Sequence, residues 1–332
     1  MGFTVRKSLK IAPGVRMNFS KSGIGMSAGV KGYRVSKGAD GRVRRTASIP
    51  GTGIRHTSTS GRGSAQSSSA RRAPMAAPPR TPTKPGLMAP KGEKALYKAI
   101  QAQDVAAIEA AGKEHPDFRL AAGALAGVMN LASGADARSL ELLAWVFGTG
   151  KDPAADPFIA KYVTARFTLE VAEGATAELG LDRSAIGLAL AELYQDAGNL
   201  DAAVTVVEQL DPTTFAALSL AELYSDLGRH ADVVGLTEGL SNDDDVTALL
   251  LVFRGVALRE QGYPEAAREA FKEALKSKKR EAVVRHRALL ERSRTYEAEG
   301  KRAMARKDLE RIMAEDSTYE GLSAALAAIA ED

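Results

Sequence analysis

The run Leu190-Ala191-Glu192-Leu193-Tyr194, with Gly198 four residues on, recurs as Leu220-Ala221-Glu222-Leu223-Tyr224 with Gly228. A second signal follows each glycine. Ala203 and Val207 lie behind Gly198, Ala267 and Phe271 behind Gly262, and Ala305 and Leu309 behind Tyr296 and Gly300. The glycines are 30, 34 and 38 residues apart, and Val233 takes the place of the small residue in the second copy. Each copy reads as a helix, a glycine turn and a second helix that approaches the first at an alanine. One such pair cannot bury its apolar face alone, so copies must stack, with a continuous core and an extended concave surface.

The order of a large residue, a small one and an aromatic on the first helix, then Ala-x-x-x-Phe on the second, resembles the tetratricopeptide-like helical repeat proteins. The resemblance covers residues 185–332. It implies that the concave surface binds a protein or peptide partner.

Charge divides the chain. Residues 1–91 carry 18 Lys and Arg against one acid, Asp40, a net of +17; the remaining residues carry 27 basic and 40 acidic groups, a net of −13. Such an asymmetry belongs to separate modules with separate contacts. In the basic part, apolar residues alternate with polar ones through Phe3 and Val5, Leu9 and Ile11, Val15, Met17 and Phe19, then Ile24, Met26, Ala28 and Val30. Period two predicts four or five short antiparallel strands with one buried face. Glycine turns fall between them at Pro13-Gly14, Ser22-Gly23, Lys31-Gly32 and Asp40-Gly41. The opposite parity collects Arg6, Lys10, Arg16, Arg34, Arg42 and Arg44, the candidate anion- or partner-binding residues.

Two readings of that face stand side by side. It is a solvated sheet surface whose arginines discourage edge-to-edge pairing or lie against the acidic second module, or it is an anion-binding face for nucleic acid, phosphate or an acidic protein. Nucleic acid is the weaker option, because single-strand readers stack bases on aromatics and only Tyr33 is free for that. A core of this size without a disulfide or metal is marginal alone, which points to packing on another surface or to self-association. The segments Met1-Gly2-Phe3, Arg6-Lys7-Ser8, Gly14-Val15-Arg16-Met17-Asn18-Phe19-Ser20-Lys21-Ser22-Gly23 and Ile49-Pro50-Gly51-Thr52-Gly53-Ile54 together resemble a small bacterial domain of unknown function, number 4236. The resemblance implies a bacterial source and assigns no activity.

From Thr57 to Lys91 the composition is Ser, Thr, Gly, Ala, Pro, Arg and Lys, with Leu87 the only large aliphatic residue besides methionine. It cannot bury enough apolar surface to offset its ordering entropy, so a disordered linker is expected. Helices are predicted at about 93–101, 104–113, 118–132 and 137–147. Then Val163, Ala165, Phe167, Leu169 and Val171 alternate, Glu173-Gly174 turns, and Ala175, Ala177, Leu179 and Leu181 alternate again. That is a β-hairpin at about 162–182, expected to cap or brace the array. The fold class is thus α+β multidomain: a small antiparallel β domain at 1–56, a linker at 57–91, a helical region with the hairpin at 92–184, and a mostly α solenoid at 185–332.

A second basic patch is expected at Lys276, Lys278, Lys279, Arg280, Arg285 and Arg287, against the plainer reading of a solvated helix-loop-helix surface. Asp243-Asp244-Asp245 reads as a helix N-cap with acids that complement the helix dipole. No chemistry emerges. Gly148-Thr149-Gly150-Lys151 lacks the earlier glycine and the Ser or Thr of a phosphate loop, and Gly23-x-Gly25-x-x-Ala28 leads into a strand, not a helix. There is no cysteine, and the four histidines are far apart. We therefore expect a cytoplasmic, non-enzymatic interaction scaffold without cofactor, metal or membrane span, the alternative being a nucleic-acid-associated adaptor. Brief proteolysis should cut first at Arg62, Arg71, Arg72 or Arg80 and leave a stable C-terminal fragment; uniform resistance across this stretch would contradict the linker assignment.

Overall fold

The computed structural model describes residues 84–163, 167–172 and 175–330, and before them the backbone of six strands. These are β1 (Lys7–Ala12), β2 (Val15–Ser20), β3 (Gly23–Val30), β4 (Tyr33–Lys37), β5 (Val43–Ser48) and β6 (Arg55–Ser60). Each pairs antiparallel with the next. The last, Arg-His-Thr-Ser-Thr-Ser, has no apolar residue and so shows no alternation. Most of the expected linker, including residues 61–83, lies outside the described residues.

The chain forms two compact units, Met1–Ala165 and Arg166–Asp332. The first holds α1 (Lys91–Ala102), α2 (Val105–Glu114), α3 (Arg119–Ser133), α4 (Asp136–Gly148) and α5 (Pro157–Tyr162). Local chemistry fixes their ends. The Asp104 carboxylate accepts from the Ala107 N–H at 3.0 Å to start α2, and Asp156 accepts from Phe158 at 2.8 Å ahead of Pro157 to start α5. The apolar run from Leu120 is the buried helix α3. It meets α4 closely, since a Cβ added at Gly127 would lie 2.3 Å from the Leu143 side chain. Buried Ser139 secures the crossing by donating to the Gly127 carbonyl at 2.9 Å. The chain then returns to α1: Lys161 donates to Glu93 at 2.8 Å, the Tyr162 hydroxyl donates to the same carboxylate, and Tyr97 meets Tyr162 edge-on.

The second unit opens with β7 (Phe167–Ala172) and β8 (Ala175–Leu179), an antiparallel hairpin. Its turn residues, Glu173 and Gly174, lie outside the described residues. Four helix pairs follow: α6 (Arg183–Asp196) with α7 (Leu200–Val207), α8 (Thr214–Asp226) with α9 (His230–Leu236), α10 (Asp245–Glu260) with α11 (Pro264–Ala274), and α12 (Ala282–Ala298) with α13 (Arg302–Glu315). A short α14 (Leu322–Ala328) packs on the last pair.

The turn inside each pair is one device used four times. The N–H of Arg229 reaches back to the Tyr224 carbonyl at 2.7 Å, and Tyr263 to Leu258 at 2.9 Å; Asn199 to Tyr194 and Lys301 to Tyr296 repeat the bond at 2.8 Å. That closure requires a left-handed residue just before the donor, filled by Gly228 at φ 68° and Gly262 at φ 83°. The second helices then approach at the positions expected from the repeat. Ala203, Val233, Ala267 and Ala305 are all buried, as are Val207, Phe271 and Leu309. In the third pair the contact is close: a Cβ at Gly255 would lie 2.5 Å from the Phe271 ring. Ala267→Leu should therefore overpack this pair and lower stability by about 1–3 kcal/mol. The same change at exposed Ala266 should leave the urea midpoint near that of the parent; equal effects at both sites would misplace the helix faces.

Candidate functional site

In the stack, the first helix of each pair packs on the first helix of the next, and α7, α9 and α11 pack both on their own partner and on the first helix of the next pair. On α10, Gly255 faces Phe271 of α11. At 100° per residue, Phe253 and Ala257 lie on the opposite side of α10, and they share a core cluster with Val233 of α9. The packed sides of α6, α8 and α10 are strongly apolar: Leu188, Leu218, Leu249 and Phe253 are each at most 4% exposed. β7 packs against α6 and α8 and β8 against α10. One core cluster joins Val171, Ala172, Ala175 and Ala177 of the hairpin to those four residues. The sequence placed the hairpin next to the array; which helices it packs on is a feature of the structure alone.

The basic residues from 276 to 287 do not form a uniform patch. Lys276 pairs with Glu273 at 3.1 Å. Arg280 donates to the Asn242 side-chain oxygen at 2.6 Å and to its carbonyl at 3.0 Å. Arg285 grips both oxygens of Glu315, at 3.0 and 2.7 Å, and Arg287 stacks over the Phe253 ring at 4.7 Å. Lys278 and Lys279 extend into solvent from the turn before α12. The surrounding basic residues behave alike: Arg292 holds buried Asp308 through two 2.7 Å bonds, and Arg294 and Lys301 pair with Glu291 and Glu299.

These ties had a signal in the sequence. Arg259 to Glu291, Arg268 to Glu299 and Arg285 to Glu315 span 32, 31 and 30 residues, about one repeat. The Gln195 amide, too, donates to Asp226 over 31 residues. Opposite charges about one repeat apart are thus neighbours, on consecutive pairs at Arg259–Glu291 and Arg268–Glu299 and within the last pair at Arg285–Glu315. Between the first two pairs, the Tyr224 hydroxyl donates to Glu208 at 2.8 Å while Arg229 covers its ring. Burial first, and then the Glu208 hydrogen bond, push the Tyr224 phenol up to about 12.

The aspartates at 243–245 act as a cap. The Asp244 carboxylate accepts from the Thr247 N–H at 2.8 Å while the Thr247 hydroxyl oxygen accepts from the Asp244 N–H, and Asp245 accepts from the Glu281 N–H at 2.9 Å. Among the described residues no three His, Cys, Asp or Glu come together as a metal site, and no helix is long and apolar enough to cross a membrane. In the N-terminal strands the register pairs Lys10 with Arg16, Arg16 with Ser27, Ser27 with Ser36 and Ser36 with Arg44. With Arg34 two residues before Ser36, four of the candidate basic residues share one parity of the sheet; Arg6 and Arg42 lie outside the described residues.

The Arg285 guanidinium, foremost, holds the Glu315 carboxyl below its ordinary value of 4.5. A carboxyl depressed in the folded state contributes stability that is present above its unfolded value and is lost as pH falls through the folded one. Glu315→Gln should therefore lower the urea midpoint at neutral pH, and the gap should close in acid below the usual carboxylate range. Lys278→Ala with Lys279→Ala should leave the midpoint unchanged at either pH.

Residues 3–57 match the family model described as protein of unknown function (DUF4236), and residues 248–280 that of the tetratricopeptide repeat. No curated protein matches the chain. Among solved structures, the chain is similar to the N-terminal domain of the EccA1 ATPase from the ESX-1 secretion system of Mycobacterium tuberculosis. The two are 14% identical with a TM-score of 0.50, over 72% of this chain and 88% of that one. A thermophilic tetratricopeptide protein of Thermus thermophilus is 14% identical with a TM-score of 0.40, over 63% of this chain and 98% of its own. At such identities the likeness concerns the fold. The chain carries a tetratricopeptide-like stack of helix pairs in its C-terminal part, behind an N-terminal segment that matches a family of unknown function.

Proposed function

We propose that this chain is a non-enzymatic interaction scaffold: its helical repeats bind a protein or peptide partner, and the basic N-terminal segment, folded as a small β domain, supplies a second contact. The stack itself carries the reading. Repeats of this kind create a long surface whose apolar and polar positions are held in fixed register by the core beneath. The arginine–carboxylate pairs engaged inside the stack hold consecutive helix pairs together, and the groups in them need no catalytic role to explain their placement. The shared parity of Lys10, Arg16, Arg34 and Arg44 supports one basic face as the second contact, with acidic protein surface as its complement.

Affinity capture with the full chain, followed by cross-linking and mass spectrometry, tests this. Partner cross-links should map to α6–α13 and to the strand residues, and the triple change Arg16→Glu, Arg34→Glu, Arg44→Glu should remove the second set while leaving the first. Capture of nucleic acid alone, with affinity falling steeply with salt as counterion release demands, would replace this reading.

A further inference from the structure

The six N-terminal strands form one sheet, each strand paired with the next. Its register gathers apolar residues on a single parity: Leu9 pairs with Met17 and Met17 with Met26, while Val15 pairs with Ala28 and Ala28 with Val35. The other parity is the basic one. A sheet with one apolar face is half of a core, because a domain needs two packed layers. The chain has little with which to build the second. Among the described residues before α1 there is no helix, and from Thr57 to Lys91 Leu87 is the only large aliphatic residue besides methionine. The first unit brings α3 to the edge strand β1 and sets no helix over β2–β5. Apart from Leu87 and Met88, the exposed large apolar side chains among the described residues are Trp145 on α4, Tyr263 before α11, and Met304 and Met313 on α13. Single residues on separate elements cannot cover a sheet.

We propose that the apolar face of this sheet is covered by the same face of a second copy of the chain, in a two-fold sandwich that leaves both basic faces outermost. A two-fold contact sets a surface against itself, so the two faces match by construction, and stacked sheets lie about 10 Å apart. The strands β1, β2, β4 and β5 are five or six residues long. At about 4.8 Å between strands and about 3.4 Å per residue, β1–β5 have a flat footprint of about 24 Å by about 18 Å. Side chains stand out from that plane, so the accessible area exceeds the footprint and is of the order of the about 800 Å² that a standard interface takes from each partner. Lys37 beside Met26 and Arg45 beside Val35 give the apolar area the polar rim usual for an interface. Each dimer then carries two helical stacks and two basic faces, and holds a partner that has two sites with avidity. This goes beyond the single-chain scaffold and does not depend on what the repeats bind.

Two measurements on the full chain test it. In analytical ultracentrifugation the parent should run at twice the 35.0 kDa of one chain. Met17→Asp with Met26→Asp should return it to a single chain with its helical circular dichroism intact, whereas Ser27→Asp, on the other parity, should leave the dimer. The second measurement separates loss of the contact from loss of the sheet. The chain has no cysteine, so a single introduced thiol reports on the cover directly. At a concentration where the parent is a dimer, Met26→Cys should react with a maleimide at least about ten-fold more slowly than Ser27→Cys, because labelling waits for the open fraction. The difference should vanish on dilution to the monomer.

A parent chain that stays monomeric overturns the proposal. Slow labelling at position 26 in that monomer would mean that the chain covers the face itself, from the side where α3 meets β1, and fast labelling that nothing covers it. A dimer that survives Met17→Asp with Met26→Asp, or one in which positions 26 and 27 react alike, overturns it as well, because its copies then meet elsewhere.

Discussion

The close approach of two helices at a small residue is the contact on which the rest of this structure depends. Where Phe271 lies against Gly255, neither residue can grow, and the second helix sits as near to the first as backbone allows. That proximity fixes the crossing, and the left-handed glycine before α11 makes it reachable within a short turn. With the same left-handed glycine in the other pairs, each second helix packs on its own partner, and α7, α9 and α11 pack also on the first helix of the next pair, so that one contact builds the stack.

Polar chemistry then holds one pair to the next. Arg254 donates to the Val234 carbonyl at 2.8 Å, Asn242 to the carbonyls of Glu273 and Ala274, and Arg259 to Glu291. An exposed ion pair contributes little, but several of these are half-buried, and Arg292 with Asp308 more so. Those between pairs act by direction more than by strength: each is satisfied only when consecutive pairs keep one offset. In the expected patch Arg280 and Arg287 meet this requirement, at Asn242 and Phe253, and the turn lysines Lys278 and Lys279 are left as a wholly solvent-facing pair.

What the sequence disclosed follows from how local each signal is. Gly198, Gly228, Gly262 and Gly300 mark turns because a positive φ is a property of one residue, and Ala203 or Ala267 mark contacts because the period is that of a helix. The hairpin was legible for the same reason, since alternation from Leu169 to Leu179 needs no partner to be seen. The roles of Arg280, Arg285 and Arg287 were not. A run of basic residues reads as a patch when taken along the chain, whereas its meaning lies about one repeat away, at Asn242, Glu315 and Phe253. Repeat length, once known, turns that long-range problem into a local one.

The hairpin's seat was hidden for a deeper reason. Periodicity tells which side of an element is apolar but not which surface covers it. Val171, Ala175 and Ala177 show the parity of a one-faced hairpin, yet nothing along the chain says that they join one core with Leu188, Leu218, Leu249 and Phe253. β7 packs against α6 and α8 and β8 against α10, a pairing of sheet with helix that only the three-dimensional packing decides.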